Sequence, residues 1–410
     1  MKLGRMVSSL ALMAAMSWGG PASAQTADVM HYWTSGGEAA AMKQVVAAFE
    51  KAGGTWKDSP VTGYEALRAS VLSRLAGGDA PTAMVADLGE VKALVDEGVL
   101  ASLNDVLTDK DWQKHFPALV AEKASVDGQL YAIPIDIGSG NWLWYSTKIF
   151  ADVGVTPPKT WDEFFIVADK IKAKGIMPLA FGAQAWQEAL VFRTVMVGEG
   201  GIDFYRKVYI DHDVEASGGA AMVKAFETFG KLRGYVDEGA TNRNWNDATN
   251  MVITDKAAMQ IMGDWAKGEF QAAGLTPGKE FGCEQAPGTA GTLNIVSDVF
   301  AFPAGDSAEQ VASRTLLANV LMDPKTQIAF NQAKGALPPL LGVDTSSFDV
   351  CTQKAAALIG DPAKLAPNGE LSFSSDTVGA IKDLVTQFWS TPSMAPADAA
   401  KQFADIVARN

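Results

Sequence analysis

Apolar residues recur along this chain with two spacings, one typical of amphipathic helices and one typical of short strands. Within residues 38–53, Met42, Val45, Val46 and Phe49 share one helical face, because a helix turns once every 3.6 residues. Short apolar runs bounded by turn residues are instead typical of buried strands. The two patterns alternate over the first hundred residues, and this alternation predicts a parallel sheet covered by helices.

The two spacings define a set of expected elements. Strands are predicted at 28–33, 80–87, 128–137, 141–150 and 292–303. Helices are predicted at 38–53, 61–78, 90–98, 157–175, 188–200, 220–235, 246–265, 308–323, 324–335 and 377–389. Because the helix-rich middle lies between strand-containing segments, we expect the chain to leave one lobe, build a second and cross back.

We therefore predict an α/β fold of two lobes joined by a hinge of several crossings. Lobe one is expected to comprise 25–135 plus 296–341, and lobe two 136–295 plus 342–410. A chain of 410 residues is long enough to form more than one core. Clefts between lobes are preferred ligand sites, so the cleft is the expected binding site.

Residues 1–24 have the features of a secretory signal peptide. Lys2 and Arg5 precede an apolar core too short to span a membrane, and "PASA" ends in a small-residue cleavage pattern. Cleavage after Ala24 is predicted, and a membrane anchor is the alternative. Export of the mature chain is therefore expected.

The charge and the cysteines narrow the class of protein. After cleavage the chain would carry 32 basic and 47 acidic residues, a net charge of −15, which argues against nucleic acid and anionic membranes as partners. Cys283 and Cys351 are expected to pair in an oxidising compartment, with two free thiols as the alternative. The "DHD" sequence at 211–213 could bind a cation only weakly and is interpreted as a solvated turn, so no metal site is predicted. No cofactor is predicted either.

Tryptophans at the ends of predicted elements point to the chemistry of the ligand. The chain has 11 tryptophans, and five of them stand beside amide or acid residues: Trp33, Trp142, Trp186, Trp245 and Trp265. A sugar has apolar C–H faces that an aromatic ring can cover and hydroxyls that amides and carboxylates can bind. Core packing is the alternative for each ring alone.

Sequence patterns typical of catalytic sites are weaker than those that suggest sugar binding. The chain contains no GxSxG sequence, no P-loop and no GxGxxG after a strand. Carboxylates are numerous, so a secreted glycoside hydrolase stays open as an alternative class. We expect a binding protein and not an enzyme.

Several motifs resemble a known family. The stretches "HYWTSGGEAAAM", "NWLWYSTKIF", "QAWQEALVFRTVMVG" and "MGDWAKGEF" resemble periplasmic sugar-binding proteins of ABC transporters, in the glucose-type branch of extracellular solute-binding protein family 1. The resemblance implies a type II-like periplasmic-binding-protein fold that closes over one sugar, such as an aldose. It also implies a monomer that delivers the sugar to permease subunits in the inner membrane.

The resemblance also implies a set of ligand-binding residues, with Trp33 as the stacking platform and Trp245 and Trp265 as the opposite wall. The complete set is Tyr32, Trp33, Glu38, Asp87, Asn141, Trp142, Trp186, Gln187, Trp245, Trp265, Asp298 and Lys334.

Two departures from the glucose-type pattern leave the ligand open. Tyr32 stands where the pattern has tryptophan, and Asp87 stands where it has lysine or histidine. The glucose-type pattern also tends to have a histidine in its last segment, whereas this chain has no histidine after His212. Another aldose, a polyol or a short oligosaccharide is therefore an alternative to glucose. A separate alternative keeps the fold and changes the ligand to glycerol phosphate, a peptide or an iron complex.

Overall fold

The structure is a computed structural model that describes residues 25–410, so the predicted signal peptide lies outside the described residues. The strands are β1 (Thr26–His31), β2 (Thr55–Pro60), β3 (Ala83–Asp87), β4 (Ser125–Val126), β5 (Gln129–Leu130), β6 (Ala132–Pro134), β7 (Gly138–Ser139), β8 (Trp142–Ser146), β9 (Met177–Ala180), β10 (Ala257–Met262), β11 (Phe281–Gln285), β12 (Leu293–Val296), β13 (Asp298–Ala301) and β14 (Leu365–Pro367).

The helices pack against the sheets and against one another. They are α1 (Gly36–Lys51), α2 (Tyr64–Ala76), α3 (Val91–Asp96), α4 (Ala118–Lys123), α5 (Thr147–Val153), α6 (Trp161–Ala173), α7 (Ala185–Tyr209), α8 (Val214–Gly218), α9 (Ala220–Lys231), α10 (Trp245–Ile253), α11 (Ala266–Ala272), α12 (Ala308–Leu321), α13 (Pro324–Lys334), α14 (Val350–Ile359), α15 (Ser375–Ser390) and α16 (Pro396–Val407). No helix among residues 25–410 is long and apolar enough to cross a membrane.

Two sheets define two lobes, as predicted. Lobe one contains a five-stranded sheet in the order β2-β1-β3-β13-β6, in which β1, β2 and β3 are parallel. Lobe two contains a four-stranded sheet in the order β11-β8-β10-β9. Each sheet has its own hydrophobic core: Val45, Phe49 and Phe300 belong to one, and Phe192 and Phe226 to the other. The residue boundaries that we assigned to the lobes stay a prediction.

Three segments carry the chain between the lobes. The first runs from β6 of lobe one through β7 to β8, and the second from β12 directly into β13. A third crosses after Leu341, whose N–H donates to His115 O in lobe one, and before α14, whose Cys351 lies in the core of lobe two. β7 and β12 pair antiparallel, and Ile137 pairs with Leu337 beside them, so the crossings support one another.

Some predicted elements are wrong in type. Residues 141–150 were predicted as one strand, but α5 begins at Thr147 because Ser146 caps it by accepting a hydrogen bond from Ile149 N–H. The predicted helix 246–265 is interrupted by β10, whose six residues are all buried. The predicted elements do not include the strands β2, β4, β7, β9, β11 and β14 or the helices α4, α8, α11, α14 and α16. β2 is an exposed polar edge strand without apolar alternation.

The predicted disulfide is present in lobe two. Cys283 on β11 bonds to Cys351 on α14 with a Cα–Cα distance of 5.9 Å and a sequence separation of 68 residues. A loop of that length implies a stabilisation of about 4 kcal/mol in the chain-entropy model. The bond therefore fixes the chain after the third crossing to the sheet of lobe two.

Candidate functional site

The carboxyl end of β1 carries the first two predicted site residues, and the fold treats them differently. Tyr32 is partly exposed, and its hydroxyl donates a hydrogen bond of 2.8 Å to Asp298 Oδ1. Burial and the carboxylates of Asp298 and Asp87 raise the pKa of Tyr32 well above its ordinary value, so the hydroxyl stays protonated. It is therefore a fixed hydrogen-bond donor at this edge of the sheet.

Trp33, in contrast, lies in the core of lobe one. Only 1 % of its surface is exposed, and its ring contacts Phe300 at 5.9 Å and Phe330 at 5.3 Å between centroids. The ammonium nitrogen of Lys334 lies 4.0 Å from the ring centroid, which is cation–π geometry. Trp33 thus holds the ammonium of Lys334 against the face of its ring. Its role as a stacking platform for a sugar stays a prediction.

Glu38 is held at the start of α1 by a capping box. Ser35 Oγ accepts from Glu38 N–H, and Glu38 Oε2 accepts from Ser35 N–H at 3.2 Å. Burial raises the pKa of Glu38, although the charge of Lys334 acts in the opposite direction. The TSGGE turn thus places one carboxylate oxygen in the cap and leaves Oε1 directed toward Lys334.

Lys334, at the last position of α13, stands among acidic side chains. Its Nζ lies 3.5 Å from Asp298 Oδ2 and 3.8 Å from Glu38 Oε1, and only 4 % of the residue is exposed. Burial alone would lower the pKa of Lys334, but the charges of Asp298, Glu38 and Asp136 outweigh it and raise the pKa. Lys334 therefore stays charged.

Two further carboxylates at this point, Asp136 and Asp264, were missed by the sequence analysis. Asp136 Oδ1 accepts from Asp298 N–H at 2.8 Å, and Asp264 Oδ2 accepts from Ser139 N–H at 2.9 Å. Burial raises the pKa of Asp136 well above its ordinary value and that of Asp264 to about 7. Asp264 comes from lobe two and Asp298 from lobe one, so the acidic cluster spans both lobes.

Asp87 lies beside this cluster in the sheet. It ends β3 and is the register partner of Asp298 on β13, so the two carboxylates leave neighbouring strands at one edge. Its Oδ1 also accepts from Gly89 N–H at 2.8 Å, which starts the following turn. Parallel and antiparallel strands thus bring residues more than 200 positions apart to one edge.

Lobe two contributes aromatic rings. Trp186 and Trp265 are both partly exposed, with ring centroids 6.3 Å apart and planes inclined by 47°. A Cβ on Gly263 would lie 2.2 Å from the Trp265 ring, so glycine is required for the indole to fold over the backbone at that point. Gln187 is fully buried and donates to Gln184 Oε1 and Arg243 O, which positions the turn that carries Trp186.

The remaining predicted residues differ in their access to the cleft. Trp245 begins α10 and is partly exposed. Trp142 is 1 % exposed and packs on Trp144 in the core of lobe two. Asn141 donates to Thr289 Oγ1 and Thr292 O and accepts from two further groups, so its amide is fully used in joining the crossing strands. Ligand roles for these three residues stay predictions.

Chemically, this arrangement offers hydrogen-bond acceptors and one cation on one side and aromatic faces on the other. Carboxylates and an ammonium form charge-assisted bonds with neutral hydroxyls, and indole rings cover apolar C–H surface. Among residues 25–410, no group of three or more His, Cys, Asp and Glu side chains is arranged to hold a metal ion.

Comparison with known proteins agrees with this geometry. The "Probable sugar-binding periplasmic protein" of Brucella melitensis is 40% identical over 335 residues, covering 81% of this chain and 79% of that protein. A protein of the same name in Rhizobium meliloti is 38% identical over 376 residues, covering 89% of both. These relatives confirm the predicted periplasmic location.

Solved structures share the fold at low sequence identity. A bacterial solute receptor, AcbH, described as having an exclusive preference for b-D-galactopyranose, superposes with a TM-score of 0.77 at 18% identity, covering 94% of this chain and 99% of that one. A family profile described as bacterial extracellular solute-binding protein matches residues 33–324. The chain therefore belongs to the bacterial extracellular solute-binding protein family, as its motifs predicted.

Proposed function

We propose that this protein is the periplasmic sugar-binding component of an ABC importer, and that it binds a monosaccharide between its two lobes. The observation that carries the proposal is the cluster of Tyr32, Glu38, Asp298 and Lys334 on lobe one, with Asp264 and the neighbouring Trp265 on lobe two. The names of the two relatives, which specify sugar binding, support the same ligand class.

The polar cluster suits a ligand that is rich in hydroxyls. Lys334 is a donor, and the carboxylates of Glu38 and Asp298 are acceptors, so neighbouring hydroxyls can each both donate and accept. Each such bond in a desolvated site contributes about 1.5–3 kcal/mol because one partner is charged. Micromolar affinity corresponds to about 8 kcal/mol, so several such bonds and a stacked ring must act together to reach it.

The charge of the site favours an uncharged ligand over glycerol phosphate. Four carboxyl groups, those of Glu38, Asp136, Asp264 and Asp298, interact electrostatically with the ammonium of Lys334. Asp264 also interacts with Lys267, which is itself paired with a fifth carboxylate, that of Asp349, so the acids outnumber the ammonium groups. A phosphate would add negative charge to a cluster in which burial already raises the pKa of several acids. A neutral polyol stays compatible with the same groups.

Delivery to the membrane requires the two lobes to close on the ligand. The three crossing segments act as the hinge, and hinge closure around a ligand is a well-established mode of domain motion. The closed form would present one joint surface of both lobes to the permease. A monomer with a 1:1 ligand stoichiometry is expected.

A carbohydrate panel tests the proposal. Aldoses, ketoses, polyols, disaccharides and glycerol phosphate are screened by thermal shift, and each hit is measured by calorimetry. A ligand at 100 times its dissociation constant adds about 2.7 kcal/mol of stability, which is easily detected. The absence of any response at millimolar sugar would overturn the proposal, and release of the leaving group from aryl glycosides would favour a glycoside hydrolase instead.

A further inference from the structure

One direct contact between the lobes involves no predicted ligand residue. The amide N–H of Gly37, at the amino end of α1 in lobe one, donates to Glu269 Oε1 on α11 in lobe two at 2.6 Å. Phe49 anchors α1 in the core of lobe one, and Phe270 anchors α11 in the core of lobe two. The hydrogen bond therefore joins two independently packed bodies.

Glycines allow the two helices to approach backbone to backbone at this point. A Cβ on Gly37 would lie 2.5 Å from the carbonyl carbon of Gly268, a distance that real Cβ atoms do not adopt. A Cβ on Gly268 would lie 3.0 Å from Ala333 O and 3.3 Å from Gly37 Cα. The three atoms nearest to a Cβ on Gly37 all belong to the backbone of Gly268 and Glu269, so no flexible side chain end could move aside for it. A rotation that separates the lobes would break this backbone contact.

The electrostatics favour the bond. The first N–H groups of a helix have no intrahelical acceptor, and the helix dipole places partial positive charge there. Glu269 supplies a carboxylate to this end of α1, and Ser35 supplies the cap to the neighbouring amide. Glu269 is only partly exposed, so the interaction is less screened than one at an open surface.

The same two helices carry candidate ligand groups. Glu38 is the residue after Gly37, and Trp265 is the residue before α11 begins. A ligand that contacts Glu38 and Trp265 together would hold the amino ends of α1 and α11 at a fixed separation. Contact between Gly37 and Gly268 and binding of a ligand are therefore geometrically linked.

We propose that Glu269 is a positioning residue for ligand binding: it fastens lobe two to the first turn of α1 when the lobes close, and it does not touch the ligand. The inference rests on the proposed function. It predicts that the contact stabilises the liganded state selectively, so its loss raises the dissociation rate of the ligand and leaves the stability of the ligand-free protein unchanged.

The first experiment uses Glu269→Ala and Glu269→Gln, with Glu227→Ala as the control on the exposed face of α9. Loss of one charge-assisted bond predicts affinity for the panel sugar about tenfold weaker in Glu269→Ala. Stopped-flow tryptophan fluorescence should assign this change to the dissociation rate. Glu269→Gln keeps an acceptor and should recover part of the loss, while Glu227→Ala should match the wild type.

The second experiment uses Gly37→Ala, with Gly379→Ala on α15 as the matched control, because a Cβ there meets no atom within 4 Å. Alanine favours a helix over glycine, so both variants should keep or raise the melting temperature without ligand. Gly37→Ala should nevertheless weaken sugar binding by 100-fold or more, because its Cβ prevents closure. Gly379→Ala should bind normally.

The outcomes separate the two proposals. A wild-type protein that binds no sugar overturns the proposed function, and with it the linked role of Glu269. Wild-type sugar binding that Glu269→Ala and Gly37→Ala retain in full overturns the positioning role alone. The positioning role is also overturned if Gly37→Ala, but not Gly379→Ala, lowers the melting temperature of the ligand-free protein. The contact would then be a permanent part of the fold.

Discussion

The groups proposed to bind the ligand form two walls, one on each lobe, and the walls differ in how firmly the protein holds their side chains without a ligand. On lobe one, Tyr32, Glu38, Asp298 and Lys334 are bonded to one another or to nearby backbone, so their positions are fixed by the protein. On lobe two, Trp186 and Trp265 are partly exposed rings that pack against the core and against each other, and only Trp186 has a side-chain hydrogen bond among those described, from its Nε1–H to Gln184 Oε1. The comparison teaches that lobe one is suited to specificity for hydroxyl geometry and lobe two to burial of apolar surface.

This difference predicts that the largest effect comes from the cation of lobe one. Lys334→Met would leave several buried carboxylates without their common counter-ion, and breaking a buried ion pair typically costs about 3–5 kcal/mol. We expect a loss of unfolding free energy of that order, measured by urea titration, together with loss of ligand binding by calorimetry. Lys325→Met, on the exposed face of the same helix, is the control and should change neither quantity.

A smaller and more selective effect is expected on lobe two. Trp265→Ala removes one aromatic face but leaves the polar cluster intact, so affinity should fall about 10- to 100-fold while unfolding free energy changes little, since the ring is partly exposed. Trp56→Ala, on the outer edge of lobe one, should not affect binding. Equal losses of stability and affinity in Trp265→Ala would contradict the contrast between the walls.

The raised pKa of Asp264 predicts that the free energy of unfolding depends on pH. The pKa of Asp264 is raised to about 7 from an ordinary value of 3.8. Between about pH 4 and pH 7, Asp264 is therefore protonated in the folded state and ionised in the unfolded state. Stability should therefore fall as pH rises from about 4 to 7, with a slope of at most about 1.4 kcal/mol per pH unit from this group. Urea titrations at pH 5, 6 and 7 should show a flatter profile for Asp264→Asn.

A profile for Asp264→Asn as steep as that of the wild type would mean that Asp264 is ionised throughout this range. Asn keeps an oxygen acceptor for Ser139 N–H, so the variant isolates the charge from the hydrogen bond. Asp136 would still contribute a slope of the same sign, because burial raises its pKa as well.

The smallest effect is expected for a single hydroxyl of lobe one. Tyr32→Phe removes the hydrogen bond to Asp298 Oδ1 and keeps the ring. We expect affinity to weaken about five- to tenfold, in line with about 1 kcal/mol for one hydrogen bond. A 100-fold loss, measured by calorimetry, would indicate that Tyr32 contacts the ligand directly and is more than a support for Asp298.

Sequence alone located the segments of the site better than it located the surroundings of their side chains. The strand end at Tyr32, the capped start of α1 and the crossing at 292–303 follow from local patterns, and these patterns act over a few residues. The burial of Trp33 and the complete bonding of Asn141 depend on contacts with residues far along the chain. Such contacts leave no local signal.

Asp136 and Asp264 show the same limit for charge. An aspartate before "IGSG" or inside "MGDW" does not differ in sequence from a solvated aspartate. Only the fold reveals that Asp264 accepts a hydrogen bond from Ser139 N–H on the first crossing segment and that Asp136 accepts one from Asp298 N–H. One hint was present in the sequence: Asp136 and Asp298 each lie inside a predicted apolar strand. A carboxylate in a buried strand requires a hydrogen-bond or ionic partner, so these two positions could have been expected to take part in a polar cluster.

The Cys283–Cys351 bond has a consequence for the stability of lobe two. It joins two stretches of lobe two that enter it by different crossings, and thiols stay reduced in a bacterial cytosol but oxidise outside it. The reduced chain would thus lack the covalent link that holds the segment 342–410 in place. In an oxidising compartment the bond forms and fixes that segment to the sheet of lobe two, so the resistance of lobe two to unfolding depends on the compartment that the protein occupies.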